Sequence, residues 1–167
     1  MITNKQYTTW HSKLSEIKFP QWKELPTLGL YIDQVVTIVN DQLQGLGVEP
    51  LTKSMVNNYV KKKFIQAPVK KQYAVNQLVD LLLISFFKTS FSIDQIRAGI
   101  AQVTVGAYPQ QSYDRFVEII NAKLAGDAIE SKSEDDELVG LAVEAVLAKL
   151  KVTNLVKGMD KNATTVK

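Results

Sequence analysis

The chain has 167 residues, 46% of them hydrophobic, which suffices for a buried core and argues against disorder throughout. Twenty basic side chains stand against 17 acidic ones, and cysteine is absent, so disulfides and thiolate chemistry are excluded. No stretch approaches the roughly 20 apolar residues of a membrane span, and the opening MITNKQYTTWHSK has no apolar leader core, so a cytoplasmic protein without a membrane partner is expected.

Helix signals dominate. Tyr7, Trp10, Leu14 and Ile17 recur at helical spacing across 3–17, and Pro20 and Pro26 bracket a connector holding Trp22. A second helix is predicted over 28–43, with Leu28, Tyr31, Val35, Ile38 and Val39 on its inward stripe, ended by Gly45, Gly47 and Pro50. Thr52 then reads as the N-cap of a third helix, 52–63, with Leu51 and Val56 in the positions of a hydrophobic staple. Pro68 blocks continuation, leaving 66–72 as a short loop or stunted hairpin. Residues 74–88 are apolar nearly all round and predict a buried central helix. Ser92 and Gln95 form a capping box for the next helix, whose inward stripe is Ile93, Ile96, Ile100 and Val103. Tyr113, Phe116, Val117, Ile120 and Leu124 make a further amphipathic helix within 109–126. ESKSEDDE (130–137) reads as an acidic connector, 138–156 as a final helix apolar on more than one face, and 158–167 as a flexible tail.

Charge is distributed unevenly. Residues 1–50 carry four lysines against five acids, 74–129 four basic residues against five acids, and 130–167 six against seven. Residues 51–73, LTKSMVNNYVKKKFIQAPVKKQY, carry six lysines and no acid, so the entire basic excess sits there. A solvated helix face explains such lysines in an ordinary way. The adjacent clusters Lys61–Lys63 and Lys70–Lys71 favour a surface for a polyanion.

Helix, glycine-containing turn and helix is also the order that presents a recognition helix to DNA. The candidate DNA-binding set is Thr52, Lys53, Ser54, Asn57, Asn58, Tyr59, Lys61, Lys62, Lys63, Lys70 and Lys71. Thr52 and the first-turn amides suit a phosphate, the lysines supply the backbone term, and the asparagines suit an adenine edge. Tyr59 is divided between a phosphate contact and packing with its ring, and Tyr73 is expected as a core anchor beneath the wing. Asp33 suits a local cap or ion pair.

No catalytic set emerges. His11 is the only histidine, which gives neither a metal cluster nor a Ser/His/Asp triad, and Asp135, Asp136 and Glu137 fall in the connector. No cofactor, metal or enzyme activity is expected.

Tyr59, Lys61–Lys62, Phe64–Ile65, Pro68, Tyr73, the 74–88 helix and the string Phe91-Ser92-Ile93-Asp94-Gln95-Ile96 fall in an order that resembles the DNA-binding half of MerR-type regulators. Leu25-Pro26, Leu30 through Val35, Leu51 through Tyr59, and Lys70-Lys71-Gln72-Tyr73 resemble, more closely, an uncharacterised bacterial family, domain of unknown function eighteen thirty-six. The first resemblance implies a mainly α fold, a MerR-like helix-turn-helix with a stunted wing plus C-terminal helices. Departures from it are plain: Asn57 stands where the recognition helix usually has arginine, the wing holds no arginine, and no long heptad array is visible. Lysine lacks the bidentate fork that reads guanine, so base preference is expected to differ.

The chain is accordingly divided into an N-terminal helix and connector (1–27), the helix-turn-helix region (28–104), an accessory helix (105–129), an acidic linker with a helix for oligomerisation (130–157) and the tail (158–167). The expected function is a transcriptional regulator that binds double-stranded DNA as a homodimer, with helices 109–126 and 138–156 at the dimer contact. The alternative is a non-enzymatic helical module that docks an acidic protein partner.

Overall fold

A computed structural model describes the backbone of residues 4–165 and the side chains of residues 4–159. Its helices are α1 (Lys5–Ser12), α2 (Ile32–Leu43), α3 (Lys53–Lys61), α4 (Val75–Phe87), α5 (Ile93–Val103), α6 (Pro109–Ala125) and α7 (Glu134–Thr165). Among the described residues there is no strand, only two isolated antiparallel bridges, Leu30 with Tyr73 and Val69 with Gln72. The protein is mainly α, and no described helix is long and apolar enough to cross a membrane.

The composition of α4 organises the rest. Gln77 to Ser85, Asp80 excepted, and Phe86 are all buried, so this helix has almost no face to give to water. It packs on α2, α5 and α7. Phe86 lies edge-on to Phe19 (ring centroids 5.9 Å apart) and near Phe116 (6.3 Å), which ties the N-terminal connector and α6 to the same centre. Burying an aromatic ring and several leucines makes α4 a major apolar contributor to the core.

Local signals set the helix starts. Thr52 accepts from the Met55 amide at 3.1 Å, while Leu51 and Val56 are buried, as a staple requires. Ser92 and Gln95 cap each other's backbone at 2.9 and 3.1 Å. The helix predicted over 28–43 begins only at Ile32, and Leu28 and Tyr31 are exposed rather than on its inward stripe. The cause is the bridge at Leu30. Its N–H and C=O pair with Tyr73 (2.9 and 2.7 Å), holding this stretch extended.

The acidic connector is also shorter than expected. Helix α7 starts at Glu134, with Ser133 accepting from the Asp136 amide at 3.1 Å. Asp136 is buried and receives Arg115 from α6 through two hydrogen bonds, 3.0 and 2.7 Å. Hydrogen bonding to that guanidinium holds the Asp136 carboxyl below the usual carboxylate range. At the other end, α7 continues past Val156 through Thr165. Asn4, the N-cap of α1, donates to Leu155 O at 3.0 Å, and its side-chain amide lies where a Cβ on Gly158 would sit. Helix α1 therefore supports the segment expected as tail; residues 166 and 167 of that tail lie outside the described residues, as do 1–3.

Two asparagines act as backbone substitutes. Asn121 on α6 accepts from Phe19 N (2.8 Å) and donates to Phe19 O (3.1 Å). Asn40 on α2 does the same for Leu51, at 2.8 and 2.9 Å, and so fixes the residue that precedes the α3 cap. Asn40→Ala strips both partners from a buried peptide group and is expected to lower unfolding free energy by about 2–4 kcal/mol in urea melts; a change under ~0.5 kcal/mol would show that the clamp contributes nothing.

Candidate nucleic-acid interface

Helix α3 is amphipathic in the sense its sequence demands. Val56 and Tyr59 point into the core, while Ser54, Asn57, Asn58 and Lys61, at helical spacing of three and four, share the exposed side. Thr52 and Lys53 are exposed at its start, with Lys53 ion-paired to Asp33. Lys61, Lys62, Lys63, Lys70 and Lys71 are all exposed, and none has a carboxylate within 4.0 Å among the described residues. Tyr59 is the correction to the candidate set. It is 4% exposed, and burial, then the charge of Glu49, pushes its phenol up from the usual value. Its ring belongs to the core and leaves the surface to its neighbours.

The backbone beneath these lysines is unusual. Helix α3 closes with reciprocal C-terminal bonds, Phe64 N to Tyr59 O at 2.9 Å and Lys63 N to Val60 O at 3.0 Å. This closure places Lys63 in the left-handed region, φ 64°, where glycine is the common choice. The Val69–Gln72 bridge (3.1 and 2.9 Å) is closed by Lys70 and Lys71 at φ 51° and 65°, a two-residue turn with both central φ values positive. Such a turn ordinarily carries Asn-Gly or Asp-Gly. These three lysines are the only non-glycine residues with positive φ among the described residues. A left-handed L-residue costs roughly 1–2 kcal/mol, so stability alone does not select lysine at all three.

The turn is held from behind. Gln77 on α4 donates to Gln66 O (2.8 Å) and Ala67 O (3.0 Å) while accepting from Ala74 N (2.6 Å), and Tyr73 is buried beneath, as expected. Gly29 leaves room for Gln72, whose Oε1 lies 2.6 Å from where a Cβ would sit. Lys88, at the end of α4, lies behind α3 with its Nζ 3.9 Å from both Glu49 and the Met55 sulfur. Burial lowers its pKa while Glu49 opposes the shift. Asn40, Gln77 and Lys88 position the basic segment, and sequence reasoning passed over all three. Asn40 and Gln77 are polar positions inside predicted helices, which was the available signal. Among the described residues, no group of three His, Asp or Glu side chains is arranged to hold a metal ion.

Helices α2 and α3, the basic turn after them and α4 behind it thus form one supported basic surface. The chain matches the family model Domain of unknown function (DUF1836) over residues 20–116, more than half its length, and it belongs to that family. The match spans α2 through α5 and the beginning of α6, and so includes the whole basic segment. No curated protein and no solved structure matches the chain.

Replacing the turn pair by Lys70→Asn with Lys71→Gly supplies the residues its backbone prefers and removes two charges. The double variant is expected to be more stable by about 1–2 kcal/mol in denaturant melts. Its affinity for a polyanion such as heparin is expected to fall, which a salt-gradient elution measures. Unchanged or lower stability would show that the lysines are not strained in this turn.

Proposed function

We propose that this chain is a transcriptional regulator that binds double-stranded DNA, presenting α3 as the recognition helix of a MerR-like helix-turn-helix and Lys70–Lys71 as a stunted wing. The observation that carries the reading is the set of five exposed lysines without ion-pair partners among the described residues, three of them in backbone positions that favour glycine. Phosphate contacts from such lysines release counterions and make binding steeply salt-dependent. Ser54, Asn57 and Asn58 on the same exposed side of α3 supply hydrogen-bonding groups for base edges. The absence of arginine from the segment makes the phosphate term dominant and guanine readout weak.

Electrophoretic mobility shift against the protein's own upstream region, repeated across salt concentrations, tests this. Lys61→Ala and Lys70→Ala should each weaken binding to every sequence alike and reduce the salt slope by about 0.9. Asn57→Ala should leave the slope alone and change preference at one base pair by about 1–3 kcal/mol. Capture of an acidic protein partner that survives nuclease treatment, with no DNA retarded at 50 mM salt (roughly the low end of such assays), would replace this reading with the protein-docking one.

A two-fold assembly fits the same reading, because a dimer reads paired half-sites. Helix α7 supports it: Leu141, Val152, Val156 and Met159 are exposed on the side opposite its buried Val143, Val146 and Leu150. Glu134 and Glu137 lie at the first half of this stripe and Lys149 and Lys151 at the second, an arrangement that favours antiparallel pairing with a second copy. Leu141→Glu is expected to convert a dimer into a monomer in sedimentation equilibrium without altering the circular dichroism spectrum. A wild-type chain that stays monomeric at high protein concentration would remove the dimer from the proposal.

A further inference from the structure

A cavity of about 170 Å³ opens where α4, α5, α6 and α7 meet, away from the basic face. Leu83 and Phe87 of α4, Ile100 and Val103 of α5, Phe116 of α6 and Val139 of α7 line it. The space is open to solvent on one side, where exposed Gln95 and Pro109 border it. Helix α5 is the loose wall. Of its stripe Ile93, Ile96, Ile100 and Val103, only Ile96 is buried.

Gly99 gives the space a second signature. It lies in the middle of α5 and lines the cavity, and its φ is not positive. No heavy atom lies within 4 Å of the position its Cβ would occupy. Neither a turn nor a close approach accounts for glycine here, although glycine in a helix interior costs about 1 kcal/mol relative to alanine. What the missing side chain leaves is room.

The lining also fixes the chemistry of what fits. Phe87 stands 6.3 Å from Phe91 and 5.7 Å from Phe116, and Tyr113 6.2 Å from Phe116, so rings present faces and edges to a planar guest. The polar groups around the rim already have partners. Tyr113 Oη donates to Pro20 O (2.7 Å), Ser112 Oγ to Val103 O (2.8 Å), Thr104 Oγ1 to Ile100 O (2.8 Å), and Gln95 Oε1 accepts from Ser92 N (2.9 Å). Asp80, the one charged lining residue, is held by Arg97 at 3.1 Å. An anion is repelled by Asp80; a cation finds that carboxylate paired with Arg97, although burial still pushes its carboxyl up despite the pair, and either charge enters the apolar space at a desolvation penalty.

We propose that this cavity binds a small uncharged aromatic molecule, about one ring in size, and that Gly99 keeps the space open for it. An enclosed apolar cavity of comparable volume takes up benzene, and here the open side gives such a guest a way in. The assignment rests on the cavity alone and stands or falls independently of DNA binding.

Toluene, benzyl alcohol, benzoate and benzylamine, titrated into the full chain, test it by saturation-transfer NMR and by thermal melting. Toluene and benzyl alcohol are expected to bind and raise the melting temperature, with benzoate and benzylamine at least tenfold weaker. Gly99→Leu projects a side chain into the space and should reduce toluene affinity at least tenfold while keeping the melting temperature at or above that of the wild type. Should that variant fold poorly, Ala142→Leu fills the cavity from α7 with the same expected loss. The proposal is overturned if no probe binds up to its solubility limit, if the charged probes bind as well as the neutral ones, or if both filling variants retain toluene. It is equally overturned if a second copy covers the cavity, seen as Gly99→Leu changing the oligomeric state while no probe binds the wild type.

Discussion

A helix that is apolar on nearly every side has to be wrapped, and α4 imposes that condition on the whole chain. Its buried run from Leu78 to Phe86, broken only at Asp80, leaves no direction in which water is acceptable, so α2, α5 and α7 close round it and Phe19 reaches it from the connector. The polar positions on α4 are then constrained to be useful. Gln77 spends its amide on the turn that carries Lys70 and Lys71, and Asp80 meets Arg97 of α5. Core and basic surface are therefore not separate features: the inward demand of α4 is what holds the turn in place.

The three left-handed lysines put two selective demands in conflict. Closure of α3 and the two-residue turn both favour glycine or asparagine, which relieve the steric clash of a Cβ. Lysine at all three gives up local stability and gains positive charge at the places where the backbone turns outward. Strain that the surrounding structure tolerates is a recognised mark of functional positions. An ordinary solubilising lysine gains nothing from a turn position, since any exposed helix site would serve equally well.

Much of this was legible in the sequence because it is local. The Thr52 cap with its Leu51–Val56 staple, the Ser92–Gln95 box and the nearly all-apolar α4 each depend on residues within a few positions of one another. The misses are of a different kind. The Leu30–Tyr73 bridge, which shortens α2 and exposes Leu28 and Tyr31, joins residues 43 apart. Asp136 sits in a string of acids that reads as solvated, and only the packing of α6 on α7 supplies Arg115. The Ser133–Asp136 spacing was a cap signal that the surrounding charge obscured. The two apolar faces of α7 were legible, but a single-face periodicity cannot say which of them turns inward. Positive φ at lysine has no sequence signature at all.

The family match ends at residue 116, but the physical unit does not. Residues 20–116 contain α4 without α7, the helix that covers one of its sides, and without Asn121, which fixes the Phe19 backbone. The matched segment alone would leave apolar surface of α4 to water, so its stability depends on helices that lie outside the match. The cavity lies on this seam, with Leu83, Ile100 and Phe116 contributed from inside the match and Val139 and Ala142 from α7. The part that holds the basic segment has its own framework in Asn40 and Gln77, while α7 closes the core from outside the match. An apolar space at that boundary is where a substitution on α7 alters the cavity lining without touching the lysines.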